Sequence, residues 1–257
     1  MAEPALVPGA LWYEMLPALK RLPPSPLPLG REHLLTEDFR LAGEGPISVY
    51  WVPFERLNAR ARVVICGLTP GYGQMLEAFT AAREALAAGL GLNETLAQVD
   101  RRASFAGAMR SNMVRMLDEL GMPVVLGIPS TASLFAEADE LVHTTSALRY
   151  PVFIEGQNYG GAHPKVQQST LLSGYVRSTL GPELAAVPQA LIIPLGKAAE
   201  GCVQMLITAE ELDAARCLLG FPHPSGANGH KWSHFRANQV RLSAELNQWA
   251  RLYQAPH

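Results

Sequence analysis

The chain is short of the residues that would mark it as secreted, membrane-embedded or metal-clustered. It has three cysteines in 257 residues, Cys66, Cys202 and Cys217, with no CxxC pair and no zinc-knuckle spacing. That spacing argues against a disulfide frame or a cysteine-bound cluster, and reduced core thiols are expected. No apolar run approaches the roughly 18 residues of a membrane span. The N-terminus carries Glu3 and Glu14 and has no basic region ahead of an apolar one. No secretory signal is read, and the expected compartment is the cytoplasm. Charged residues make up only 17% and the net charge is −2, against 48% apolar residues. This composition describes a soluble globular chain long enough to bury a core.

Familiar site motifs are missing too. The glycines of "GLTPGYG" fall at 67, 71 and 73, so they do not make the GxGxxG dinucleotide turn. No GK[ST] follows them, and no GxSxG elbow occurs anywhere.

Two textures run along the chain. Residues 1–60 read as a Pro-rich arm or cap packed on the domain, with "LPPSPLPLG" (Leu22 to Gly30) extended and "ISVYWVPF" adding an edge strand. Residues 61–257 alternate short β-branched runs with helical ones. "RVVICG", "LVHTTSAL", "ALIIPLG" and "RCLLGF" read as buried strands. Helices are expected over Gln74 to Leu90, Phe105 to Leu120, Pro164 to Leu180, Lys197 to Leu206 and Trp232 to Leu252. The alternation implies an α/β fold of three α/β/α layers around a central, mostly parallel four-stranded sheet. Sites in such folds gather at the carboxyl ends of the strands. Those ends here carry "GLTPGYG", "TTSALRYP", "PLGKAAEG" and "FPHPSGANGH".

Taken with "HPSGAN", the turn "GLTPG" resembles the G-x-[DNA]-P-[GY] and [HN]-P-S motifs of the uracil-DNA glycosylase superfamily. "SFAGAMRSNMVRML" is similar to that family's F-x-G segment, and "ALIIPLGKAAEG" to its I-V-x-L-G-x-x-A strand and helix. The four segments come in the family's order between Val63 and about Trp249.

The resemblance implies a DNA glycosylase that extrudes a uracil or other deaminated or damaged base and hydrolyses its N-glycosidic bond. Extrusion costs a few kcal/mol, and stacking on Phe105, worth about 1–3 kcal/mol per base, would offset it. His223 would donate a hydrogen bond to the base carbonyl where negative charge grows, a contribution on the order of 10²–10³ in rate. Gly67, Leu68, Pro70, Gly71, Tyr72, Phe105 and Ser146 would form the base pocket. Pro224, Ser225, Gly226, Ala227, Asn228, His230, Lys231 and Arg236 would face DNA. That face gains from two stretches without acids, Arg101 to Leu117 and Ala214 to Ala244. His230 and His234, four apart, could join His223 as three imidazoles, but a DNA-facing or capping role is preferred and no metal or other cofactor is expected. DNA is the expected partner, with no membrane and no obligate protein partner.

The chain departs from the family at two places. Leu68 and Thr69 stand where the superfamily keeps the carboxylate or amide that positions water. Thr69 can hold a water but cannot take its proton near pH 7, and general-base help is typically worth about 10²–10⁴. Ser146 replaces the base-reading asparagine. Two readings follow: a glycosylase working through His223 with Thr69 holding water, or a catalytically weak DNA- or nucleotide-binding module that keeps the pocket.

Overall fold

The computed structural model describes residues 6–105 and 107–253. The chain opens with helices α1 (Trp12–Arg21) and α2 (Arg31–Leu34), then strands β1 (Arg40–Glu44), β2 (Ile47–Tyr50) and β3 (Val63–Gly67). Helices α3 (Tyr72–Ala87), α4 (Leu92–Ala103), α5 (Ala108–Glu119) and α6 (Met122–Leu126) follow. Next come β4 (Val142–Ser146), β5 (Val152–Ile154) and β6 (Gln157–Asn158). Helices α7 (Thr170–Tyr175) and α8 (Gly181–Ala185) are joined by a π turn over Val176–Leu180. The chain ends with β7 (Leu191–Pro194), α9 (Gly196–Thr208) and α10 (Lys231–Tyr253).

The fold is mixed α/β, built on a parallel sheet of order β4-β3-β7. All five residues of β3 are buried, as befits a central parallel strand covered on both faces. Side chains alternate along it. Val64 and Cys66 pack with Met75 and Phe79 of α3 and with Val203 of α9. Val63 and Ile65 pack with Met113 and Leu117 of α5 and with Phe235 and Leu246 of α10. The two-residue period of the strand thus feeds two cores, one on each face of the sheet.

The fourth expected strand, "RCLLGF", makes a single parallel bridge, Cys217 to Ile192, with Leu218 N donating to Ile192 O at 2.8 Å. Gly220 at φ +83° turns the chain out of the extended region before a ladder can form.

β1, β2, β5 and β6 form a separate antiparallel sheet, in which Ile47 stands opposite Ile154. "ISVYWVPF" therefore supplies a strand, Ile47–Tyr50, to this sheet and not to the parallel one. The described residues before 61 are wound into the common core: Trp51 and Phe39 pack on Phe79 of α3 with ring centroids 5.6 and 4.7 Å apart. The helix expected over Pro164 to Leu180 is broken into a 3₁₀ turn, α7 and the π turn. Helices α1 and α4 were not anticipated. All three cysteines are buried and free. Among the described residues no helix is long and apolar enough to cross a membrane.

Candidate functional site at the strand ends

The turn after β3 is tied to the exit of β4. Ala147 N and Leu148 N donate to the carbonyls of Gly67 and Leu68, each at 2.8 Å. Thr69 then braces the chain beyond. Its Oγ1 donates to Tyr150 O at 3.1 Å and accepts from Val152 N at 3.2 Å. The threonine proton is committed to a backbone carbonyl, a structural duty that its sequence position did not reveal. Tyr150 in turn donates its hydroxyl to Glu55 Oε1 at 2.8 Å, which also accepts from Trp51 Nε1 and Leu11 N. Burial pushes the Glu55 carboxyl above its ordinary range, and these hydrogen bonds act against that rise. The start of α3 is capped by two amides: Gly71 N donates to Gln74 Oε1 and Tyr72 N to Asn158 Oδ1.

Beside this turn lies a solvent-open cleft, lined by Pro70, Gln74, Ser104, Phe105, Thr144 and Ser146 together with Phe54, Thr145 and Arg149. Gly67 lies behind two of these residues, Phe105 and Ser146. A Cβ there would meet Phe105 Cε1 at 3.3 Å and Ser146 Oγ at 3.4 Å, so glycine is what lets the ring and the hydroxyl close in. Phe105 sits at φ +46°, a strained conformation for a bulky residue. Its ring edge lies close to Gly67 at the end of β3.

Of the pocket residues expected from sequence, Gly67, Pro70, Phe105 and Ser146 come together here. Gly71 lies one step further, in the helix cap. Leu68 packs toward Gly161 and Ala198, and the Tyr72 ring lies under the Arg31 guanidinium, 4.5 Å away.

His223 stands in a separate, solvent-open cleft that shares no lining residue with the first, together with Gly196, Lys197, Glu200, Asn228 and His234. Gly196 makes that placement possible. It has φ +81°, and a Cβ on it would lie 2.8 Å from His223 Cβ. Ser225 N donates to His223 Nδ1 at 3.4 Å, which assigns the proton to Nε2. Burial lowers the His223 pKa below its ordinary value, so the ring is a neutral donor near pH 7.

The loop after it is held by Asn228 Nδ2 to His223 O at 2.9 Å and Asn112 Nδ2 to Pro224 O at 2.9 Å. Lys231 Nζ donates to Asn228 O, and the His230 and His234 rings stack at 6.0 Å. Gly226 lies against Ala108, and Arg115 lies over Trp232 at 4.5 Å. The two acid-poor stretches therefore meet on one surface. Glu119 sits in that surface, paired to Arg115 at 3.1 Å and Arg236 at 2.5 Å, and offsets part of its positive field.

No family model matches the chain. It is 42% identical over 229 residues to "Uncharacterized protein YoxB" of Bacillus subtilis (strain 168), a match covering 88% of this chain and 90% of that protein. The chain belongs to the YoxB family.

A third cleft in this YoxB-family chain carries no motif along the sequence. It has about 400 Å³ of open space along the outer edge of β4, and its walls include Arg56, Asp100, Arg101, Ser104, Arg110 and His143. Ser104 and Thr144 line both this cleft and the cleft beside the β3 turn, and their hydroxyls meet at 3.1 Å as the partition between them. His143 is oriented from behind, its Nε2 2.7 Å from Glu183 Oε1. Glu183 also accepts from Arg149 Nη2 at 2.7 Å and Nε at 3.1 Å. Desolvation raises the Asp100 carboxyl to about 7, with Arg56 and His143 acting the other way. Perturbed groups in a cleft are a physical pointer to function. These residues come from four separate segments with no motif spacing, so only the tertiary structure could gather them.

Proposed function

We propose that this protein binds DNA with one base swung out of the stack and hydrolyses the N-glycosidic bond of that base, uracil or another deaminated or damaged base. The observation that carries the reading is the meeting of the early turn, Phe105 and the hydroxyl-rich end of β4 in one cleft at the strand carboxyl ends. His223 follows "RCLLGF", on the far side of β7 from β3, as a neutral donor suited to a developing anionic base. The single parallel bridge of "RCLLGF" to β7 supports reading it as an outermost fourth member of the sheet, as in the uracil-DNA glycosylase superfamily. The α5–α10 surface would receive the phosphate backbone.

A second reading, base binding without turnover, is favoured by a specific observation. The Thr69 proton is already given to Tyr150 O, and among the described residues no carboxylate lines the base cleft to act as a base toward water. The test is a panel of single- and double-stranded oligonucleotides carrying uracil, G·T, hypoxanthine or xanthine, assayed for cleavage and binding. The first reading expects cleavage that His223→Ala removes. The second expects binding that Phe105→Ala weakens, with no cleavage. Neither cleavage nor lesion-dependent binding overturns both.

A further inference from the structure

We propose that the cleft along the outer edge of β4 is a binding site for a small dianionic oxyanion, a phosphate or phosphate monoester, held between Arg56 and Arg101. This does not depend on the activity proposed above, because the Ser104–Thr144 hydroxyl pair divides this cleft from the base cleft.

The first argument is geometric. Most ion pairs among the described residues close at 3.2 Å or less. The two that do not are Arg56–Asp100 at 3.6 Å and Arg101–Asp139 at 3.9 Å, and both line this cleft. Each guanidinium stands back from its carboxylate, and in the proposed complex a bridging oxyanion takes the closer position. Paired forks of this kind suit phosphate, which accepts several charge-assisted bonds at once.

The second argument is charge. Three guanidinium groups, Arg56, Arg101 and Arg110, face two carboxylates, Asp100 and Asp139. One positive charge is left over with both acids ionised, and two when Asp100 is protonated. Glu183 does not alter this balance, since Arg149 neutralises it. A dianion fits the second state.

The third argument is the supply of protons. Thr144 gives its hydroxyl proton to Ser104 Oγ, so the Ser104 proton is left to donate to a ligand. Arg110 is the fixed member, bonded to the carbonyls of Arg101, Ser104 and Phe105. It holds the end of α4 in place and contributes its field.

Binding should therefore be coupled to protonation of Asp100. The groups around that carboxyl are Arg56 before β3, Arg101 on its own helix, Arg110 on α5, Asp139 and His143 at β4, and Glu183 behind them. Sulfate is the cleanest probe, since it stays dianionic across the working range, and inorganic phosphate and glycerol phosphate then compare the free anion with a monoester. Titration calorimetry at pH 6 and pH 8 should show wild-type sulfate affinity falling about tenfold as Asp100 ionises.

Arg56→Gln and Arg101→Gln should each weaken sulfate binding about tenfold or more at pH 6. Asp100→Asn should tighten binding at pH 8 and abolish the pH dependence, a gain that misfolding cannot imitate. The proposal is overturned if sulfate and phosphate fail to bind at about 10 mM. It is also overturned if folded Arg56→Gln and Arg101→Gln proteins bind like wild type, or if the pH dependence survives in Asp100→Asn.

Discussion

Replacing Glu183 by glutamine tests the deepest electrostatic feature of the fold. The Glu183 side chain is 2% exposed and sits between His143 and Arg149, themselves 3% and 1% exposed. Arg149 also donates to Pro8 O and Thr179 O, the second of which is presented by the π turn ahead of α8. The substitution keeps the size and removes the charge. Arg149 is then buried without a counterion, a change that typically costs about 3–5 kcal/mol.

The carboxyl's own titration gives a second figure. Desolvation would raise its pKa, but the His143 hydrogen bond and the Arg149 charge outweigh it and hold the group at about 2, against an ordinary 4.5. That gap corresponds to roughly 3 kcal/mol. Because the folded pKa is depressed, this stabilisation is present above about pH 4.5 and is lost as pH falls toward 2.

Urea unfolding followed by tryptophan fluorescence should show Glu183→Gln less stable by about 3 kcal/mol at pH 7, with Tm lower by roughly 6–12 °C. The deficit should shrink as wild type is acidified below pH 4. A variant within about 1 kcal/mol of wild type at pH 7, or a deficit unchanged at pH 3, would refute the reasoning.

Thr69→Val keeps the shape but orphans Tyr150 O and Val152 N, and should cost about 1–3 kcal/mol in denaturant titration; unchanged stability would show that the hydroxyl is free for another duty. Asp100→Asn should be more stable than wild type at pH 8 by about 1–3 kcal/mol and equal to it near pH 4. The raised carboxyl penalises folding only as it ionises, growing from its ordinary 3.8 to about 7. A pH-independent difference would sink this. Gly196→Ala must accommodate a Cβ 2.8 Å from His223 at φ +81°, a strain of about 1–3 kcal/mol. His223 should move with it, visible as a changed imidazole titration by NMR, and an unchanged titration would show that Gly196 does not set the histidine's place.

Sequence alone determined the strands whose burial is two-sided. Val63–Gly67 and Leu191–Pro194 are unbroken apolar runs because helices cover both faces of the parallel sheet, and that pattern survives in one dimension. The long amphipathic helices α3, α5, α9 and α10 were legible for the same reason, apart from shifts at their ends. Gly67, Pro70 and Ser146 share one edge because they lie at or just past the ends of the neighbouring parallel strands β3 and β4, whereas Phe105 follows helix α4 and only the family resemblance pointed to it.

Tertiary structure decided what depends on partners distant in sequence. Whether "RCLLGF" becomes a full strand turned on a glycine at positive φ. Whether Thr69 meets water or backbone turned on where Tyr150 and Val152 lie. The antiparallel sheet needed β5, about a hundred residues after β2. The charged cleft on β4 needed an arginine, an aspartate and a histidine from separate segments, held apart at distances that no spacing along the chain encodes.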